Sequence, residues 1–158
     1  MIKIQNDSIV YPVPDKSLLA RVEKSFEVKF PIDFINFLLN TNGAIPITKF
    51  FKGQFNTYVI DRFLCLVDNP RNHRSGMYDI KVVLTQLDER IVSDEDATGA
   101  ELIPFVALFA GDFVCLDYRE SKTNPSVCIW YNEDSGDFEP AIKKVAENVS
   151  DFINMLEE

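Results

Sequence analysis

Apolar positions along the chain fall into blocks with two periods. Leu18, Leu19, Val22 and Phe26 recur at helical spacing behind Asp15, a good N-cap, and predict a helix over 16–26. Pro12 and Pro14 disfavour helix in the residues before them, so 8–11 reads as a short strand or extended lead-in. Pro31, whose missing N–H is no loss at a first helical position, opens a second helix. Its apolar face is Phe34, Ile35, Phe37, Leu38 and Leu39. Asp33 suits the first turn, and Asn42-Gly43 closes it in a left-handed cap. The short link between these helices predicts an αα-hairpin or corner.

Residues 44–55 read as irregular, broken by Pro46 and Gly53. The run TYVIDRFLCLV at 57–67 predicts a strand with Tyr58, Ile60, Leu64 and Leu66 on one face and Arg62 as the exception. A polar loop over 69–76 follows. Asp79 then caps a helix whose stripe is Ile80, Val83, Leu84, Leu87 and Ile91.

The segment from Leu102 to Tyr131 organises the rest. Residues 102–109 are almost unbroken apolar, as expected of a strand buried on both faces. Ala110-Gly111-Asp112 is a tight turn, FVCLDY a second strand, RESKTNPS a polar loop, and VCIWY a third strand. Two short links between three strands predict an antiparallel meander. NEDSGD at 132–137 is a second turn with Gly136 as its hinge. Residues 138–145 form a further strand that Pro140 confines to an edge or bulge. Asn148 caps a last helix carrying Val149, Phe152, Ile153 and Leu156, with Asp151 three residues on as in a capping box. The expected architecture is α+β: one domain over 1–158, with a mostly antiparallel central sheet and flanking helices.

Composition agrees with a packed domain. The chain has 158 residues, 46% of them apolar, with 13 Phe, enough to bury a sizeable core. No window reaches the roughly 18 uninterrupted apolar residues of a membrane span. The first residues lack the apolar run and cleavage site of a signal peptide, so a cytoplasmic location is expected. Cys65, Cys115 and Cys128 are odd in number, widely spaced and set in strand-like surroundings, and read as reduced core residues.

The charge changes the picture more. The net charge is −9, and residues 86–158 carry 5 Lys/Arg against 17 Asp/Glu, while residues 1–85 carry 11 against 8. An acidic surface repels phosphate backbones, so direct nucleic-acid binding is not expected. It favours a basic partner through complementary fields, although acidity also serves solubility alone.

Candidate chemistry is sparse. His73, the only histidine, lies in a loop with no nucleophile motif. No metal-ligand spacing or phosphate-binding glycine loop occurs, so no cofactor is expected. Asp94-Glu95-Asp96 reads as a solvated loop rather than a calcium site. Asp112 and Asp117 are the best-placed carboxylate pair for glycoside chemistry, but an aspartate at a turn start commonly bonds backbone. Recognition remains. The acidic turns at 93–101 and 132–137 would form one negative patch if both reached the same rim, with Tyr118 and Tyr131 as exposed aromatic anchors. The expected partner-binding residues are Asp94, Glu95, Asp96, Glu101, Tyr118, Glu120, Tyr131, Glu133, Asp134 and Asp137, with no catalytic residue.

Four motifs in order resemble one family. Phe30-Pro31-Ile32-Asp33-Phe34-Ile35-Asn36-Phe37-Leu38 followed by Asn42-Gly43 looks like "L-P-x-D-[YF]-x-x-F-L … N-G". Leu102-Ile103-Pro104-Phe105, Gly111-Asp112 and Val114-Cys115-Leu116-Asp117 look like "L-I-P-[IF] … G-D-x-[IV]-C-L-D". Val127 to Tyr131 matches a "V-x-x-W" strand, and the last helix contains Ser150-Asp151-Phe152-Ile153-Asn154-Met155-Leu156. Phe30 replaces a common leucine, and one glycine follows Asn42 where a pair is frequent. Together these resemble the SUKH superfamily, which includes the yeast Smi/Knr cell-wall-assembly regulators and many bacterial toxin-immunity proteins. The resemblance implies an α+β fold without catalytic activity. It implies an immunity protein of the single-domain bacterial (YobK-like) type that binds and neutralises a cognate polymorphic toxin, expected to be a basic nuclease domain acting on RNA or DNA. The alternative it implies is a regulatory scaffold like the yeast relatives. In either case the motif residues Pro31, Asn42, Gly43, Pro104, Gly111 and Trp130 are expected to be structural.

Overall fold

The structure is a computed structural model that describes residues 2–96 and 98–158. Six strands form one antiparallel sheet in sequence order: β1 (Phe50–Lys52), β2 (Thr57–Phe63), β3 (Leu102–Leu108), β4 (Phe113–Asp117), β5 (Ser126–Gly136) and β6 (Glu139–Ala146). Among the described residues four α-helices flank it: α1 (Lys16–Phe26), α2 (Ile32–Thr41), α3 (Ile80–Leu87) and α4 (Val149–Asn154). This is the α+β arrangement expected from the sequence.

Strand alternation divides the sheet into two faces. Val114, Leu116, Val127 and Ile129 join α1, α2 and α4 in the main core. Phe105 is the hub of that core. Its ring stands edge-on to Phe34 and Phe37 at 5.6 Å each and to Phe152 at 5.9 Å. The opposite residues Leu102, Cys115, Cys128 and Trp130 form a smaller core with Ile91, covered by Leu84 and Leu87 of α3. Cys115 and Cys128 face each other in register, and all three cysteines are free and buried.

The helix caps follow the sequence. Asp15 accepts from Leu18 N at 2.8 Å, Asp79 from Lys81 N at 2.7 Å, and Asn148 from Asp151 N at 2.8 Å. Pro31 sits at the N-cap of α2 rather than its first turn. Asp33 serves two partners: Oδ1 accepts from Phe34 N at 2.8 Å, and Oδ2 accepts from Ser150 N at 3.0 Å, tying α2 to the start of α4.

Several expectations are corrected. The helix over Ile80 to Ile91 stops at Leu87. Asp88 takes φ 47°, and the chain continues as a 3-10 turn, Asp88–Ile91, that still buries Ile91. The strand at 57–67 stops at Phe63. A register shift between Ile60 and Arg62 resets its alternation, putting Phe63 in the main core. Residues 50–52, read as irregular, form β1. Residues 8–11 are not a strand, but Val10 N donates to Asn42 O at 2.7 Å. The last strand begins at Glu139 because Phe138 takes φ 59° in the turn.

The sheet curls. Tyr58 of β2 and Tyr131 of β5, on strands that are not neighbours, share a hydroxyl hydrogen bond at 2.8 Å. The outer edge of β1 is covered because Phe50 and Glu157 exchange N–H···O bonds at 3.0 and 2.7 Å. β6 is the other edge, which is where Pro140 is tolerated.

Candidate protein-binding surface

The expected rim comes apart along the strands and is rejoined by another segment. Residues 93–101 lead into Leu102, which pairs with Asp117, whereas Asn132 follows Trp130, which pairs with Phe113. Residues 132–136, expected as a turn, are the bulged end of β5, and they and the loop at 93–101 lie at opposite ends of the sheet. The turn Asp88–Ile91 bridges them across the smaller core. On one side Glu89 O accepts from Phe138 N at 2.8 Å. On the other, Asp88, Ile91 and Val92 line a groove of about 400 Å³ with Gly99, Ala100 and Glu101.

Trp130 and Arg90 fix this bridge. The indole Nε1 donates to Arg90 O at 2.9 Å, and the Arg90 guanidinium lies 5.2 Å from the ring centroid. The same guanidinium donates to Asn132 O and to Ser135 O. Those carbonyls belong to a wide bulge, where Tyr131 opposes Ala141 and Gly136 already opposes Glu139. Ser135 Oγ closes the bulge by donating to Tyr131 O at 2.6 Å and accepting from Ala141 N at 2.8 Å. Asp112 Oδ1 accepts from Asn132 N at 2.8 Å. Glu133, Asp134, Asp137 and Glu139 are exposed on this pinned hairpin beside exposed Asp88 and Glu89. Asp94, Glu95 and Asp96 are exposed in the loop that follows Ile91.

Four expected binding residues lie apart from these exposed carboxylates. Tyr118 is fully buried, and its hydroxyl donates to Lys29 O at 2.8 Å. Burial, then the nearby carboxylates Glu23 and Asp33, raise its pKa. It lies on the helix face with Val114 and Leu116, so it anchors the linker between α1 and α2 instead of a partner. Glu101 is 9% exposed and turns inward, its Oε2 accepting from Ser93 Oγ at 2.7 Å and Ser93 N at 3.2 Å. Tyr131 is half-buried and packs toward the main core, opposite to Trp130. Burial and its bond to Tyr58 raise its pKa. Glu120 is exposed but sits in the β4–β5 loop, by a groove with Asp117, Lys144 and Glu147.

Asp88, Glu89 and Glu139 escaped the sequence reading. Asp88 and Glu89 end an amphipathic stripe and read locally as its solvated side. Their position beside the hairpin depends on the Arg90 and Trp130 contacts, which join residues 40 apart.

The other chemical candidates resolve into structure. Asp112 and Asp117 flank β4 five residues apart, roughly 16 Å at strand rise, beyond the span of a glycosidase pair. Asp117 is held by Arg119 through bonds of 2.9 and 2.8 Å. His73 Nδ1 accepts from Ser75 N at 3.0 Å, so its Nε2–H donates to Tyr11 O at 2.9 Å. Among the described residues, no group of three or more His, Cys, Asp or Glu is arranged to hold a metal, and no helix is long and apolar enough to cross a membrane.

The motif residues are frame elements. Asn42 is fully buried. Its Nδ2 donates to Val10 O at 2.9 Å, and its Oδ1 accepts from Leu66 N at 2.9 Å. Gly43 has φ 69°, and a Cβ there would come 2.5 Å from Val10 Cγ2. The family model SUKH_6, described as SMI1-KNR4 cell-wall, matches residues 16–153. The chain therefore belongs to the SUKH family. No curated protein and no solved structure matches it.

Proposed function

We propose that this chain is a non-catalytic, cytoplasmic immunity protein that binds and neutralises a cognate toxin, a basic nuclease domain acting on RNA or DNA. The observation that carries the reading is the acidic band of Asp88, Glu89, Asp94, Glu95, Asp96, Glu133, Asp134 and Asp137, all exposed, on a SUKH frame. A nuclease that grips phosphate presents a basic cleft. A fixed row of carboxylates complements it without the flexibility and entropy loss of a disordered acidic tail. Glu139 extends the same row.

The band also predicts the kinetics. Opposed fields accelerate encounter and are screened by salt, so association slows as ionic strength rises. The test is co-expression with the product of the neighbouring open reading frame. Rescue from that product's toxicity, with co-purification of the two chains, supports the reading. A harmless neighbour, together with a different partner recovered from cells, moves the reading to a regulatory scaffold.

A further inference from the structure

The molecule has a second surface of opposite character. The curl of the sheet brings the tip of the β1–β2 hairpin close to edge strand β6. A groove of about 240 Å³ runs between them, walled by Lys52, Lys143 and Lys144 and floored by Ile129, Val145 and Met155. In a chain of net charge −9, Lys52 and Lys143 form no ion pair among the described residues, whereas Lys144 pairs with Glu147 at 2.6 Å. Phe55, 80% exposed, stands at the rim with the Lys143 ammonium 5.0 Å from its ring centroid. Gly53 shapes the tip. A Cβ there would lie 2.7 Å from Tyr58 Cε2, so only glycine lets the hairpin close onto that ring.

The groove also adjoins β6, which among the described residues pairs with a strand on one side alone. Glu157 covers β1, while β6 has no strand on its outer side. The groove continues along β6 into a shallower depression that shares Lys144, Val145 and Met155 and adds Glu147 and Asp151, whose charge confines an acidic segment to the Lys52 and Lys143 end. An exposed strand edge offers unpaired N–H and C=O groups to an added strand. Apolar floor, lysine walls and open edge together select an extended peptide that alternates apolar and acidic residues. A long polyanion is disfavoured because it would also meet the field of the acidic band, whereas a short segment senses mainly charges within about 8–10 Å.

We infer that the groove between the β1–β2 tip and β6 is a docking site for an acidic peptide segment in extended conformation, separate from the acidic band. The test is an amide NMR titration of the full chain with a capped heptapeptide of sequence Glu-Val-Glu-Phe-Glu-Val-Glu. The expected result is saturable shifts at the amides of Lys52, Lys143, Lys144 and Val145. Binding should weaken about tenfold in the double variant Lys52→Glu, Lys143→Glu, the loss of two exposed ion pairs. Both positions are solvent-exposed, and an unchanged amide spectrum elsewhere shows that the fold is kept. The inference is overturned by an absence of saturable shifts, by shifts that survive the double variant, or by equal shifts from the same peptide with lysine in place of glutamate. It is also overturned if a single-stranded oligonucleotide of equal charge shifts the same amides as strongly.

Discussion

Trp130 and Arg90 hold each other across the smaller core. The indole N–H donates to the arginine carbonyl at 2.9 Å, and the guanidinium that covers the ring donates onward to the β5 bulge. Through this pair a structural tryptophan sets the position of a surface. Arg90→Ala leaves Asn132 O and Ser135 O without their charged donor. The expected cost is about 1–3 kcal/mol. Hydrogen exchange should quicken over 132–139 while the amides of β3 stay protected. Uniform quickening along the chain would contradict a local role.

Asn42 staples the N-terminal segment to the residues after β2. Asn42→Ala leaves Leu66 N–H and Val10 O short of partners in a fully buried setting. Denaturant unfolding should show a loss of about 2–3 kcal/mol. Gly43→Ala should be destabilising as well, since it adds a 2.5 Å clash with Val10 Cγ2 at positive φ. A near-neutral result at either position would contradict the staple.

Tyr118→Phe removes only the hydroxyl that donates to Lys29 O. A loss of about 1 kcal/mol is expected, with partner binding unchanged. Weakened binding at full stability would return Tyr118 to the interface.

The thiols should be silent in the folded protein. Burial pushes Cys65 and Cys128 up to about 12 and Cys115 well above the ordinary thiol value. Native protein at pH 8 should resist a thiol reagent that labels all three residues in denaturant. The sign of the pH dependence follows. Folded values above the unfolded value of about 8.5 mean that this stability is present below pH 8.5 and is lost as pH rises toward 12. Denaturant midpoints that stay flat from pH 8 to 10.5 would contradict it.

The sequence exposed the frame more readily than the surface. Asp15, Asp79 and Asn148 mark helix starts because capping is local chemistry, and Pro140 marks an edge strand because it lacks a donor. Tyr118 was legible too: Val114, Leu116 and Tyr118 alternate onto one face, and that period outweighs the polar loop that follows. The separation of the acidic turns was countable from the meander, since the entrance to β3 and the exit of β5 lie at opposite strand ends. The bridge Asp88–Ile91 was not legible. It depends on positive φ at Asp88 and on contacts with Trp130 and the β5 bulge, distant in the chain. Glu101 turned inward for a similar reason, as its partner Ser93 lies across a loop whose path no local pattern sets. β1 escaped notice because three residues are too few for a period to show.

The proposed role of the acidic band is to block a toxin. The most direct measurement is growth of cells co-expressing the neighbouring gene product with the wild-type chain, with the double variant Glu133→Lys, Asp134→Lys, or with the triple variant Asp94→Lys, Glu95→Lys, Asp96→Lys. These residues are exposed and outside the core, so folding should be kept, as circular dichroism of each variant checks. Wild type should protect, and both variants should lose protection and co-purification. Full protection by both folded variants would contradict the account.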